Sequence, residues 1–151
     1  MQCARSRCLS DAGEQPCPRR ESLRFTCIAI IKRKPENALE KLRGKSIGQV
    51  GISEITLSEL TFGIEKSSRR EQAREALSEF VIALEVAPFE GDAASVYGSV
   101  RASLEVKGQP IGPLDTLIGS HALSLDVTLV THNTREFSRI DGLRLEDWIA
   151  G

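Results

Sequence analysis

The sequence predicts an α/β fold, a mostly parallel sheet covered by helices on both faces. The first observation is alternation: after residue 22, short apolar or β-branched runs and stretches of helical periodicity follow one another along the chain. The second is Val127-Thr-Leu-Val-Thr131, a short β-branched run bounded by polar residues, which suits a buried strand. The third is Arg69 to Leu84, where Ala73, Ala76, Leu77, Phe80, Val81 and Leu84 fall at spacings of 3, 4, 7, 8 and 11, the pattern of an amphipathic helix.

Residues 1–22 are polar, rich in Arg, Ser and Cys, and without periodicity. Such a segment does not pack by itself, so a disordered leader is expected ahead of one domain spanning 23–151. Leu23 to Ile31 suits a strand running straight into a helix from Lys32 to Arg43, with Gly44 as its stop. Gln49 to Ser53 is a second strand. Beyond it, Thr56 and Glu59 have the spacing of a helix capping box, which would give Glu59 a structural role; alternatively the helix begins at Ser53 and Glu59 projects from its second turn toward a cleft. After the helix of 69–84, Glu85 to Phe89 is a brief strand and Gly91 to Lys107 a helix closed by Gly108. Pro113 preorganises a further helical turn, after which Leu114, Leu117, Ile118, Ala122 and Leu125 form one apolar face. Leu143 to Leu145 completes the sheet, and Trp148 is expected to pack on its edge.

Composition excludes several classes. No apolar run approaches membrane length, and no helix-opening glycine pattern of a nucleotide-binding fold follows any strand. The formal net charge of -1 does not announce a nucleic-acid binder. An RNA enzyme needs a local basic surface, for which Lys32, Arg33, Lys34, Lys41, Arg43, Lys45, Arg69, Arg70 and Arg74 are the candidates. Cys3, Cys8, Cys17 and Cys27 have neither zinc-site spacing nor an export signal ahead of them, so a reducing cytoplasm is expected.

The chemistry concentrates on three acids. Asp115 falls in the first turn of the helix opened by Pro113, where the helix dipole favours an ionised, exposed carboxylate. Glu136 follows the end of the strand at 127–131, and ligands of parallel sheets bind outside the carboxyl ends of strands. If Glu59, Asp115 and Glu136 converge there, their mutual repulsion calls for raised pKa values or a divalent cation. Oxygen-only ligands suit Mg²⁺, with Mn²⁺ as a substitute, and the matching reaction class is metal-assisted phosphodiester hydrolysis.

Four segments in order, Gln109-Pro-Ile-Gly-Pro-Leu-Asp115, His121-Ala-Leu123, Leu129-Val-Thr-His-Asn-Thr-Arg-Glu-Phe137 and Leu143-Arg-Leu-Glu-Asp-Trp148, resemble the second half of VapC-type PIN-domain toxins. Upstream, Ile52-Ser-Glu-Ile-Thr-Leu-Ser-Glu-Leu-Thr-Phe-Gly63 resembles the family's other signature. The resemblance implies a three-layer PIN-like domain and an Mg²⁺-dependent endoribonuclease that cuts structured RNA, pairs with a cognate VapB-type antitoxin and forms homodimers. It assigns Glu59, Asp115 and Glu136 as catalytic and metal-binding acids, with Thr131 and Asn133 flanking them. Asn133 is expected to shape the loop or hydrogen-bond a carboxylate, His121 to be a packed histidine, and His132 to lie on the surface.

One family motif is missing. The first strand of such toxins ends in a Leu-Asp-Thr-Asn type segment whose Asp holds metal, and here Leu23 stands in its place, or about five residues are absent. The nearest upstream acid is Glu21, and no family motif places a ligand at Glu54. Loss of that carboxylate is expected to weaken metal binding and impair the enzyme, leaving an inactive module that binds antitoxin or RNA as the alternative. A displaced gene start would produce both the polar leader and the lost motif.

Overall fold

The computed structural model describes residues 24–26, 36–46 and 48–149. The expected leader, all four cysteines and Lys32 to Lys34 lie outside the described residues. Within them, β1 (Arg24–Thr26) is followed by α1 (Glu36–Arg43), β2 (Val50–Ser53), α2 (Glu54–Glu65), α3 (Arg70–Ile82) and β3 (Glu85–Ala87). Next come α4 (Ala93–Val106), α5 (Pro113–Ser124), β4 (Thr128–Val130), α6 (Thr134–Phe137) and β5 (Arg144–Glu146). The strands form one sheet in the order β3-β2-β1-β4-β5, and every pairing is parallel.

Alternation along the strands divides the core into two. Leu129 points into a cluster with Val100, Leu104, Ile118, Ala122, Phe137 and Ile140, on the side covered by α4, α5 and α6. Its neighbour Val130 points the other way, against Val50 and Trp148, with Leu42 of α1 and Phe80 of α3 packed alongside. Helices therefore cover both faces, the three-layer arrangement expected of a parallel sheet. Trp148 lies over the face made by β2 and β4 and not on the edge, 3% exposed, with its indole N–H donated to Glu146 Oε2 at 2.8 Å.

Two helices depart from their sequence patterns. No residue of α3 is fully buried, and Ile82 at its end is 85% exposed, because α3 packs chiefly on α2 and edge strand β3 and reaches the core only through partly buried Phe80. In α5 the buried surface is broader than one stripe, taking in Thr116, Gly119, Ser120 and His121, while Leu114 at the start is 43% exposed. Gly119 explains the close approach: a Cβ built there would stand 2.4 Å from Ile140 Cδ1 and 3.2 Å from Phe137 Cδ1. A glycine there lets the Ile140 and Phe137 side chains pack directly on α5, and any side chain would have to displace them.

Candidate active site

Sheet order places the site. β1 lies between β2 and β4, so successive connections leave in opposite directions from the centre, and a crevice opens at the carboxyl edge there. A helix that leads into a parallel strand begins at that edge, which puts the first turn of α5, with Asp115, beside the segment that leaves β4. Pro113 is the first residue of the helix, as its missing N–H allows, and the Thr116 amide and hydroxyl both donate to the Gly112 carbonyl, at 2.8 and 2.9 Å.

Glu59 reaches the same region from α2. That helix begins directly after β2, capped by Ser53, whose hydroxyl accepts from the Ile55 amide at 3.2 Å. The capping-box reading of Thr56 and Glu59 is therefore corrected: Thr56 is buried inside the helix, and Glu59 is a second-turn residue with no capping duty. Glu136 sits on α6, immediately beyond the turn in which the Asn133 amide donates to Thr131 Oγ1 at 3.1 Å.

These acids meet around one amide. Asn133 Nδ2 donates to Asp115 Oδ2 at 3.4 Å and to Glu136 Oε2 at 3.5 Å, both long bonds of a side chain shared between two acceptors. Burial pushes the Asp115 carboxyl above its usual range, and the neighbouring Glu136, through charge and a shared hydrogen bond, and then Glu59 raise it further. The half-buried Asp115 thus differs from the exposed, dipole-favoured carboxylate expected from its place in the helix: burial and two like charges outweigh the helix dipole. Among the described residues, no three His, Cys, Asp or Glu side chains are drawn tightly enough together to make a finished metal cage. The acids form a close pair, Asp115 with Glu136, and Glu59 acts on Asp115 through space.

The donor set fits a hard divalent cation. It consists of carboxylate oxygens beside one amide, it is open to solvent on one side, and burial together with the like charges of Glu136 and Glu59 disfavours the ionised form of its central acid. Glu54 is outside the cluster, since its carboxylate accepts from the Phe89 amide at 3.3 Å, toward the loop after β3. His132 is also directed elsewhere, with Nδ1 3.0 Å from Asp147 Oδ2. Central β1 brings Arg24, Phe25 and Thr26 to the sheet and no carboxylate. Of the basic candidates, Arg70 and Arg74 are engaged by Glu65, at 3.7 and 3.1 Å.

Comparison with known proteins decides the family. The PIN domain family model matches residues 26–143. The chain is 44% identical over 123 residues to the tRNA(fMet)-specific endonuclease VapC of Salmonella typhimurium, covering 82% of this chain and 92% of that one. The chain is a VapC-type PIN-domain protein. The Shigella flexneri protein of the same name is 42% identical over 122 residues, 81% of this chain and 92% of its own. Among solved structures, the DNA-bound VapBC of Salmonella typhimurium matches this PIN domain with a TM-score of 0.78 at 41% identity, over 83% of this chain and 98% of that chain. The agreement between motif resemblance and backbone similarity makes the fold and family of this VapC-type chain plain. No helix among the described residues is long and apolar enough to cross a membrane.

The pair missed by sequence reasoning is Ser53 and His121. Ser53 Oγ and His121 Nδ1 are 2.8 Å apart, both side chains are buried, and Phe89 meets the imidazole edge-on with ring centroids 5.2 Å apart. His121 is the packed histidine expected, and burial lowers its pKa, against the raising effects of a backbone hydrogen bond to Pro88 and the charge of Glu54. Their separation of 68 residues left no local signal for the bond.

Proposed function

We propose that this chain is a divalent-cation-dependent endoribonuclease toxin that cuts structured RNA and is restrained by a VapB-type antitoxin in the cytoplasm. The observation that carries the reading is the Asp115 carboxyl, held above its usual range among Glu136, Glu59 and the Asn133 amide. A carboxylate cluster that disfavours its own charge is what a cation site looks like before the cation arrives. Asp115, Glu136 and Glu59 would hold Mg²⁺ or Mn²⁺. When bound, the cation supplies a water acidified toward neutral pH and charge stabilisation for phosphodiester hydrolysis.

The chain's own residues do the rest. The Asn133 amide, within long hydrogen-bond reach of both acids, places one donor between the two carboxylates. Thr131, buried at the end of β4, receives the Asn133 amide and so sets the loop that carries this side chain. The solvent-open side of the cluster leaves room for a phosphate, and the partial burial of Asp115 strengthens its electrostatic coupling to whatever binds.

The antitoxin reading is supported by the structural relative, solved as a VapBC complex bound to DNA, and the RNA reading by relatives named tRNA(fMet)-specific endonucleases. A homodimer belongs to the same proposal. One observation favours the second reading, an inactive module that binds antitoxin or RNA: β1 is Arg24–Thr26 and carries no acid, and the family's first-strand Asp is replaced by Leu23 or lost with about five missing residues. Losing one carboxylate would weaken cation affinity by about 10-fold or more, and would slow the enzyme without altering its fold. The test is cleavage of purified tRNA by wild-type chain, with Mg²⁺ or chelator, beside Asp115→Asn and Glu136→Gln. Cleavage that needs the cation and vanishes in both variants supports the nuclease. A folded chain that binds RNA and never cuts it, at any Mg²⁺ or Mn²⁺ concentration, establishes the inactive module.

A further inference from the structure

α2 and α5 pass one another in opposite senses. Ser53, at the start of α2, meets His121 near the end of α5, while Glu59 further along α2 acts on Asp115 at the start of α5. Ser53 and Glu59 are six positions apart in the sequence, and so are Asp115 and His121. At a rise of about 1.5 Å per residue, the two meeting points are therefore separated by roughly 9 Å along each helix. A single hydrogen bond between buried groups thus sits in register with the acid pair, and any slip of one helix past the other moves both meeting points together.

We infer that Ser53 and His121 are positioning residues, a buried latch that sets the register of α2 against α5 and so holds Glu59 opposite Asp115. The latch is well anchored. The Ser53 hydroxyl also receives the Ile55 amide, tying it to the first turn of α2. The imidazole is held further by the Pro88 backbone, the edge of Phe89 and the charge of Glu54, so the ends of β2 and β3 and the start of α2 all converge on one side chain of α5. Ile118, between Asp115 and His121 along α5, is buried, and apolar contact of its kind tolerates a sliding displacement where a 2.8 Å hydrogen bond does not. A displacement of about 1 Å is enough to loosen a functional constellation.

The inference rests on the cation-site reading of Asp115 and Glu59, and its test separates the two. Ser53→Ala and His121→Leu remove the bond, His121→Asn keeps a polar group near the position of Nδ1, and Ser120→Ala alters a neighbouring buried hydroxyl that has no hydrogen-bond partner among the described residues. Mn²⁺ affinity is measured by water-proton relaxation for each chain, together with circular dichroism and the carboxyl ¹³C resonances of Glu59 and Asp115 in the cation-free state. Ser53→Ala and His121→Leu should fold, shift both resonances and bind Mn²⁺ ~10-fold more weakly. His121→Asn should retain most of the affinity, and Ser120→Ala all of it. If His121→Leu does not fold, Ser53→Ala decides. Folded Ser53→Ala with both resonances and affinity unchanged overturns the latch. Wild-type chain that takes up no Mn²⁺ overturns the cation-site reading instead, and the resonances then decide the latch alone.

Discussion

Replacing Asp115 by Asn should stabilise the cation-free protein at neutral pH and destabilise it relative to wild type once a divalent cation is added. Asn133 Nδ2 lies 3.4 Å from Asp115 Oδ2 and 3.5 Å from Glu136 Oε2, which keeps those two oxygens within about 7 Å of each other. Two unit charges at about 7 Å repel by about 2 kcal/mol at an effective dielectric of about 20. Partial exposure and salt reduce this to about 1 kcal/mol, equivalent to a melting temperature about 2–4 °C higher for a chain of this size. The substituted amide occupies the same space, and the bond it puts at risk is already long, so little opposes the gain. The sign with pH follows from the raised folded pKa of Asp115. Its ionised form is penalised only in the folded state, so the penalty is complete above the folded pKa and disappears as pH falls below the ordinary value of 3.8. The variant's advantage should disappear over the same interval. Thermal melts in chelator, across pH, and again in excess Mg²⁺ give the answer. A variant less stable than wild type in chelator at pH 7 would refute the idea that these acids are held together against their own repulsion.

Other consequences follow from the packing. Gly119→Ala drives a methyl group into Ile140, whose Cδ1 would be 2.4 Å away, and should cost about 1–3 kcal/mol in urea melts. An unchanged midpoint would mean that the Ile140 side chain yields freely. His121 titrates in the folded chain below its ordinary 6.5, so the unfolded chain takes up the proton first. Stability from this group is complete above pH 6.5 and is lost as pH falls through the lower folded pKa, so His121→Asn should flatten the decline in urea midpoint on that side of pH 6.5. A decline equally steep in the variant would assign the acid sensitivity elsewhere.

Much of this was legible in the sequence because its causes are local. Pro113 announced the helix whose first turn holds Asp115, and the β-branched run before His132 announced β4. Ordered motifs added the family, and with it Glu59 and Glu136. What escaped depends on where elements meet. The bond from Ser53 to His121 joins residues far apart in the chain, and Gly119 reads as an unfavourable helix residue until α6 is seen against it. The apolar stripe of α3 promised full burial, but its contacts with α2, β3 and the core cluster under Phe80 leave every α3 residue at least partly exposed and Ile82 in solvent. Asp115 itself illustrates the limit: its helix position predicted a stabilised charge, and burial, with Glu136 and Glu59 beside it, reversed the sign.

The most direct measurement of the central claim is the rate of tRNA cleavage by wild-type chain beside a variant in which Leu-Asp-Thr-Asn is restored ahead of Thr26. Slow, cation-dependent cleavage that the restored segment accelerates, and that Asp115→Asn abolishes in both chains, is the result expected of a carboxylate site lacking one ligand. Cleavage that persists in chelator or in Asp115→Asn, or a restored chain that binds Mn²⁺ and still does not cut, would contradict it.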